Sequence, residues 1–176
     1  MVVLDGRFLA QAEPLGDGLA FLAQIEALMG RDSIFSRVSH EEAEFLAGLM
    51  QCYRVPAGTL LIKEGDGSGF LLFLIAGRIE IRKQRRDGGR AVLAGIGPGS
   101  TLGKMSLFNA SPRTADCTAL EPVTFTILSR GGMELVLRQH PVLANKILTQ
   151  IILILSDRLG EAANILAETL QPEAWV

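Results

Sequence analysis

The sequence is organised around one segment, Gly103-Lys104-Met105-Ser106-Leu107-Phe108-Asn109-Ala110-Ser111-Pro112-Arg113-Thr114-Ala115, which follows the turn Pro98-Gly99-Ser100. In it a glycine precedes a segment too short for a full helix, and an arginine follows a proline that restricts the local backbone. Backbone N–H groups in such a segment can converge on an anion while a guanidinium closes over it. The segment therefore predicts a cradle for one phosphate, although the motif alone has low specificity.

The composition describes one domain with no general affinity for nucleic acid. The chain has 176 residues, a formal charge of −2 and only two cysteines, Cys52 and Cys117, without CxxC spacing. We expect two buried, reduced thiols rather than a disulfide framework or a zinc site. The N-terminus lacks the unbroken apolar run of a secretory signal, and residues 147–155 are too short and too polar to span a bilayer. These features predict a cytoplasmic protein without a membrane partner.

Apolar spacing predicts two helices before the central segment. Apolar residues recur at helical spacing over residues 15–29, and Gly30 provides a stop. A second helix begins at Ser39, which can cap the N-terminus while Glu42 reaches back in a capping box. A catalytic or metal-binding role for His40 is the alternative to a solvated side chain on this helix. We favour the solvated side chain because no cysteine, aspartate or second histidine is near in sequence.

From Cys52 onward the pattern changes to short apolar runs separated by glycine-containing turns. Their regular spacing predicts a closed or nearly closed antiparallel barrel. Basic residues flank the turn at residues 86–89, but no aromatic residue is interleaved for base stacking, so a charged hairpin tip is favoured over a nucleic-acid patch. The predicted strands are 59–62, 70–75, 79–82, 90–96, 116–120 and 123–128, and the basic residues are Lys83, Arg85, Arg86 and Arg90.

The helical pattern returns after Gly131. A short helix over residues 133–138 ends at His140, which we expect near helix-end carbonyl oxygens, and Pro141 suits the first turn of the next helix. That helix runs to about Leu170 and is apolar on more than one side. We predict a homodimer through it; the alternative is that both apolar sides cover the barrel. A near-heptad stripe is formed by Leu148, Ile151, Leu155, Ala162 and Leu166.

In this order and spacing, the segments resemble the cyclic nucleotide-binding domain family of catabolite-activator-type regulators, kinase regulatory subunits and gated channels. The resemblance covers about residues 34–159 and implies an α+β fold, in which a jelly-roll-like, double-stranded β-helix barrel is flanked by N-terminal helices and a long C-terminal helix. It divides the chain into residues 1–31, an N-terminal helical extension; 32–140, the barrel with its phosphate segment; and 141–176, the lid or dimerisation helix and tail. The segments on which the resemblance rests are Ile34-Phe35, Ser39-His40-Glu41-Glu42, residues 58–66, 75–79, Pro98-Gly99, 103–115, His140-Pro141 and 155–159.

The resemblance also implies roles for residues of the central segment. Arg113 matches the arginine that pairs with the cyclic phosphate, and Gly103 matches the leading glycine. Backbone N–H groups at Ser106 and Leu107 would complete the cradle. An exposed loop arginine is the alternative for Arg113.

Two further positions affect which ligand is expected. Lys104 stands where family members that bind cyclic nucleotides usually have a glutamate, which accepts a hydrogen bond from the ribose 2′-hydroxyl. Lysine has donors and no acceptor, so losing that bond costs roughly 1.5–3 kcal/mol unless Lys104 donates to the hydroxyl oxygen or to the phosphate instead. Thr114 stands where cyclic-GMP-selective relatives often have threonine; ordinary packing or a phosphate contact is the alternative. Ser156 and Asn164 are polar candidates on the long helix.

These expectations favour a stand-alone regulatory sensor. It would bind cyclic AMP, cyclic GMP or a related phosphate and signal through its C-terminal helix to an unidentified protein partner, without a metal or other cofactor. The alternative is a degenerate, ligand-free interaction module that retains the fold. An enzyme is disfavoured because GxSxG, HExxH, GxxxxGK[ST] and GxGxxG motifs are absent. Catabolite-activator-type regulators carry a helix-turn-helix domain after the long helix, whereas only residues 161–176 remain at that place in this sequence. We therefore expect no helix-turn-helix and no direct DNA binding.

Overall fold

The computed structural model describes residues 12–30, 34–67, 69–108 and 111–169. Residues 1–11, 31–33, 68, two positions of the central segment (109 and 110) and the tail from 170 lie outside the described residues. In chain order the elements are β1 (Glu13–Asp17), a 3₁₀ turn (Gly18–Phe21), α1 (Leu22–Met29), α2 (His40–Leu49), β2 (Met50–Val55), β3 (Leu60–Ile62), β4 (Phe70–Ala76), β5 (Ile79–Gln84), β6 (Arg90–Ile96), β7 (Thr101–Leu102), α3 (Lys104–Phe108), β8 (Asp116–Ala119), β9 (Val123–Ser129), α4 (Arg130–Gln139) and α5 (Pro141–Thr169).

The strands form two antiparallel sheets, which confirms the predicted α+β class. The sheet orders are β1-β2-β9-β4-β7 and β3-β8-β5-β6. The described strands thus form two facing sheets, as in the predicted jelly-roll-like arrangement, but they do not close into one complete barrel. The two sheets and the helices form three layers, and strand β4 lies in the middle one. Its residues Phe70, Leu72 and Leu74 enter the core between the sheets, whereas Leu71, Phe73 and Ile75 enter a second core with the helices. An unbroken apolar strand is needed because both of its faces are covered.

The helix predicted over residues 15–29 begins later than expected. Residues 13–17 form β1 and pair antiparallel with β2, with Glu13 opposite Arg54 and Asp17 opposite Gln51. The Asp17 carboxylate then accepts a hydrogen bond from the Leu19 N–H at 3.1 Å and starts the 3₁₀ turn. Pairing with a distant strand overrides local helical periodicity here. The described part of the N-terminal region covers the sheet, since Ile25 lies in the core shared with the helices.

The predicted capping box of α2 is confirmed. The Glu42 N–H donates to Ser39 Oγ at 3.4 Å, and the Ser39 N–H donates to Glu42 Oε2 at 2.8 Å. Glu42 also accepts a hydrogen bond from Lys146 Nζ at 2.7 Å, which joins α2 to α5. Burial alone would raise the pKa of Glu42, but the hydrogen bonds from Lys146 and Ser39 outweigh it and lower that pKa.

Replacing Ser39 with alanine is expected to lower the free energy of unfolding by about 1 kcal/mol, because the variant loses one half of the capping box. Urea unfolding monitored by circular dichroism measures this change. Ser39→Thr is the matched control, since threonine also caps and should lose much less. An equal loss in both variants would contradict the capping explanation.

Helix α5 packs on the domain through its first half only. Leu143, Ala144, Ile147 and Ile151 are buried against the other helices and the sheet. Beyond them Ile152, Leu159 and Leu166 are 62%, 73% and 58% exposed. The alternative that both apolar sides of this helix cover the domain is therefore wrong. None of the helices in the described ranges is long and apolar enough to cross a bilayer.

Candidate ligand-binding site

Gly103 lies at the junction of β7 and α3, where the local geometry requires glycine. Its φ of +82° is in the left-handed region that L-residues with a side chain rarely adopt. A Cβ there would lie 2.5 Å from the Phe70 carbonyl oxygen and would also collide with Nη1 of Arg113. The absence of a side chain thus lets the guanidinium of Arg113 lie directly beside the start of α3.

Arg113 is buried, which excludes the exposed-loop alternative for this residue. Its side chain is 5% exposed, Nη2 donates to the Phe70 carbonyl at 2.9 Å, and the guanidinium carbon lies 4.3 Å from the centroid of the Phe70 ring. Its backbone N–H donates to the Asp66 carbonyl and its carbonyl accepts from the Gly65 N–H, both at 2.8 Å. Burial lowers the pKa of Arg113 to about 10, which leaves the side chain positively charged at neutral pH.

Helix α3 is held at both of its ends. Ser106 Oγ donates to the Gly103 carbonyl at 3.1 Å, and the Leu107 N–H donates to the same oxygen at 3.2 Å. Arg130 Nη2 donates to the Ser106 carbonyl at 3.1 Å, and its Nε donates to the Leu107 carbonyl at 3.3 Å. The Leu107 N–H is therefore used within the helix, and its predicted role as a ligand donor remains a prediction, like that of Ser106.

Lys104 points its ammonium group at protein atoms in this structure. Its Nζ donates to the Thr101 carbonyl at 2.8 Å. Burial, followed by the charge of Arg158, lowers the pKa of Lys104 to about 8. Thr114 is exposed, and its carbonyl accepts a hydrogen bond from Lys83 Nζ at 2.6 Å.

These residues surround a pocket with a volume of about 550 Å³. That volume lies within the range of roughly 300–1,000 Å³ typical of small-molecule sites. Of the predicted site residues, Gly103, Lys104, Ser106, Arg113 and Thr114 line the pocket, whereas Leu107 is not among its lining residues. The apolar wall consists of Ile62, Ile81, Leu93, Ala94, Ile96, Leu102, Met105, Pro112, Ala115, Cys117, Ile154 and Leu155.

Helix α5 contributes one side of this pocket through Ile154, Leu155 and Arg158. Sequence reasoning did not assign a site role to Arg158. The available clue was spacing, because Arg158 is three and four residues beyond the two apolar lining residues and therefore shares their helix face. Ser156 and Asn164, the polar candidates on this helix, are not among the lining residues in the described part of the chain.

The other titratable residues considered in the sequence are the two histidines and the two cysteines, and their contacts and burial are those of structural residues. His40 is exposed, and its Nδ1 lies 2.6 Å from Glu26 Oε1, a hydrogen bond that raises the pKa of His40. The His140 N–H donates to the Val136 carbonyl at 2.9 Å, at the end of α4. Both cysteines are buried as predicted, and burial raises the pKa of Cys52 to about 12 and that of Cys117 to about 11. Among the described residues, no group of three or more His, Cys, Asp or Glu side chains could hold a metal ion.

The basic residues beside the β5–β6 turn are partly neutralised. Lys83 Nζ lies 3.1 Å from Glu64 Oε1, and Arg90 Nη1 lies 3.2 Å from Asp116 Oδ2. These ion pairs join the hairpin to the segment that follows β3 and to β8. This arrangement is consistent with the predicted charged hairpin tip.

The two facing sheets, the glycine–arginine segment and the long helix beside it form the architecture of one known domain family. The family described as the cyclic nucleotide-binding domain matches residues 53–140. This protein belongs to that family, as its sequence predicted.

Known proteins of this family resemble the chain over most of its length. The crystal structure of a cyclic nucleotide-binding domain from Methylobacillus flagellatus KT has a TM-score of 0.84 and 30% identity, covering 96% of each chain. The CRP-like cAMP-activated global transcriptional regulator of Mycobacterium tuberculosis is 25% identical over 83% of this chain and 63% of its own length. The Thermus thermophilus catabolite activator protein has a TM-score of 0.70 and 25% identity, covering 76% of this chain and 61% of its own. The chain thus spans less than two thirds of either regulator.

Proposed function

We propose that this protein is a regulatory sensor that binds a cyclic nucleotide or a related phosphate ligand in the pocket between Gly103 and Arg113 and signals through α5. The observation that carries the proposal is that one pocket is lined both by Arg113 and by the Ile154–Arg158 face of α5. A ligand there contacts the phosphate-binding segment and the helix at once. Binding of a ligand would therefore depend on where α5 lies.

The ligand would be held by two kinds of contact. Arg113 supplies a fixed positive charge for the phosphate, and the apolar wall suits a nucleobase. Binding changes the position of α5 only if the ligand has different affinities for the two positions. Leu155 provides such a differential contact, because it leaves the ligand when α5 moves away.

Titration of the intact chain with cyclic AMP and with cyclic GMP, followed by calorimetry and by hydrogen exchange of residues 152–169, tests this proposal. Micromolar or tighter binding with slower exchange in that segment is the expected result. Binding without any change in exchange would oppose signalling through α5. The absence of heat at millimolar ligand would favour the degenerate, ligand-free module.

We further propose that the exposed half of α5 forms a homodimer. Ile152, Leu159 and Leu166 are seven residues apart, the spacing of a coiled-coil seam, and all three are exposed. A contiguous exposed apolar surface of this type is typical of a protein–protein interaction site. A dimer would also transmit a change in helix position from one subunit to the other.

Leu159→Glu is expected to convert the dimer into a monomer, because it places a carboxylate at the centre of the seam on both subunits. The dissociation constant should rise by at least about 100-fold, as for a buried interface anchor. Analytical ultracentrifugation measures this, with Leu120→Glu as the control, since Leu120 is an exposed leucine outside α5. A natural chain that sediments only as a monomer at micromolar concentration would contradict the dimer.

The proposed role needs no chemical step by the protein, so we propose that the domain acts by binding alone, with an unidentified protein partner that responds to α5. A cytoplasmic location and the absence of direct DNA binding remain predictions from the sequence.

A further inference from the structure

The pocket is more positively charged than one phosphate diester requires. Three cationic side chains line it, Lys104 at the start of α3, Arg113 before β8 and Arg158 on α5. Among the described residues that line the pocket, none is an aspartate or a glutamate. A cyclic nucleotide carries a single negative charge in its phosphodiester, so it would leave cationic groups without an ionic partner.

Lys104 and Arg158 form a second cationic centre within the pocket. They belong to different elements, yet each lies on the pocket surface, and the charge of Arg158 acts on the Lys104 ammonium group. Lys104 is also partly withdrawn from water and bonded to the Thr101 carbonyl. Two neighbouring cations in a partly buried site repel each other, and an anion placed between them removes that repulsion.

The pocket also offers the space and the wall that a larger ligand needs. Its volume of about 550 Å³ accommodates a nucleotide with more than one phosphate group, and most of its lining residues are apolar. The apolar residues can take the base, while the three cations stand at α3, α5 and the segment before β8. The charges therefore favour a ligand whose anionic groups are at separate positions.

We propose that the ligand is a nucleotide-like molecule with two separate anionic groups, one held by Arg113 and the other held by Lys104 and Arg158. This inference rests on the proposed function of the same pocket and specifies its ligand class. It also assigns a role to the lysine at position 104, which cannot accept a hydrogen bond from a ribose hydroxyl. The second anion would join α3 to α5 directly, so the ligand would bind most tightly when α5 lies against the pocket.

The experiment compares three ligands that share adenine and ribose: cyclic AMP, adenosine 5′-monophosphate and adenosine 3′,5′-bisphosphate. Each is titrated into the intact chain by calorimetry at one ionic strength. The bisphosphate is expected to bind at least about tenfold more tightly than either single-phosphate ligand, the contribution of one charge-assisted hydrogen bond. Arg158→Ala should weaken the bisphosphate by about tenfold and change cyclic AMP much less.

Lys104→Glu is the most informative variant. It reverses the charge at the second cationic centre and supplies a carboxylate that can accept a hydrogen bond from the ribose 2′-hydroxyl. It is expected to bind cyclic AMP at least about tenfold more tightly than the natural chain does, and to lose the preference for the bisphosphate. Lys63→Glu is the matched control, because Lys63 is exposed and does not line the pocket. Thermal unfolding of each variant verifies that it is folded.

The outcomes separate this inference from the proposed function. Cyclic AMP or the monophosphate binding as tightly as the bisphosphate would overturn the second anion site and leave the sensor proposal standing. A preference for the bisphosphate that persists in Lys104→Glu would likewise overturn it. Failure of all three ligands to bind the folded chain would overturn both.

Discussion

Replacing Arg113 with alanine is expected to weaken nucleotide binding by roughly 100-fold, since a phosphate would lose one or two charge-assisted hydrogen bonds. The guanidinium is buried, stays charged at neutral pH and is oriented by the Phe70 carbonyl and ring. Such an arginine is already ordered before the ligand arrives, so binding costs little side-chain entropy. Calorimetry with the nucleotide that binds the natural chain most tightly measures the change.

Two further variants make this experiment interpretable. Arg113→Lys keeps the cation but loses the planar fork, so its affinity should lie between those of the natural chain and Arg113→Ala. Arg85→Ala removes an exposed arginine outside the pocket and should bind normally. Unchanged affinity in folded Arg113→Ala would show that the phosphate binds elsewhere. Thermal unfolding checks each variant, because Arg113 also fills space in the core.

Gly103→Ala should lower the free energy of unfolding by about 3 kcal/mol, of which a left-handed alanine accounts for about 1–2 kcal/mol. The remainder arises because the new Cβ displaces Arg113 from the Phe70 carbonyl. Nucleotide affinity should fall together with stability, since the same movement misplaces the guanidinium. Urea unfolding and calorimetry of the one variant measure both effects.

Gly58 offers a matched control for Gly103. Its φ is +81°, nearly the same as at Gly103, but a Cβ at Gly58 would meet no atom within 4 Å. Gly58→Ala therefore has the backbone cost without the collision, and it should lose about 1–2 kcal/mol and bind ligand normally. Equal effects of the two substitutions would mean that the approach of Arg113 to Gly103 is unimportant.

Features that depend on neighbouring residues in the chain were predictable. The capping box at Ser39 and Glu42 and the strand over residues 90–96 were predicted correctly. The glycine–arginine segment was also recognised, because its consecutive residues resemble a known family segment. Each of these requires only a few consecutive residues, whose backbone preferences and side-chain alternation the sequence displays directly.

The predicted strands also did not include β2 (Met50–Val55). Strand β1 and strand β7 were missed for a common reason. β1 exists because Glu13 to Asp17 pair with β2, which lies over 30 residues away in the chain, and β7 consists of only Thr101 and Leu102 paired with β4. Such short strands carry no periodicity of their own. Their hydrogen-bond partners are distant residues, so their conformation is determined only when the sheet assembles.

By itself the sequence determined the family and the order of most strands and helices, and it directed attention to Gly103 and Arg113. The tertiary structure decided that the strands form two sheets, that Arg113 is buried beside Phe70, and that Arg158 joins Lys104 at the pocket. It also decided which apolar residues of α5 remain exposed. The physical reason is that burial and charge proximity are properties of residues brought together from distant parts of the chain, whereas turns, caps and alternation are set by adjacent residues.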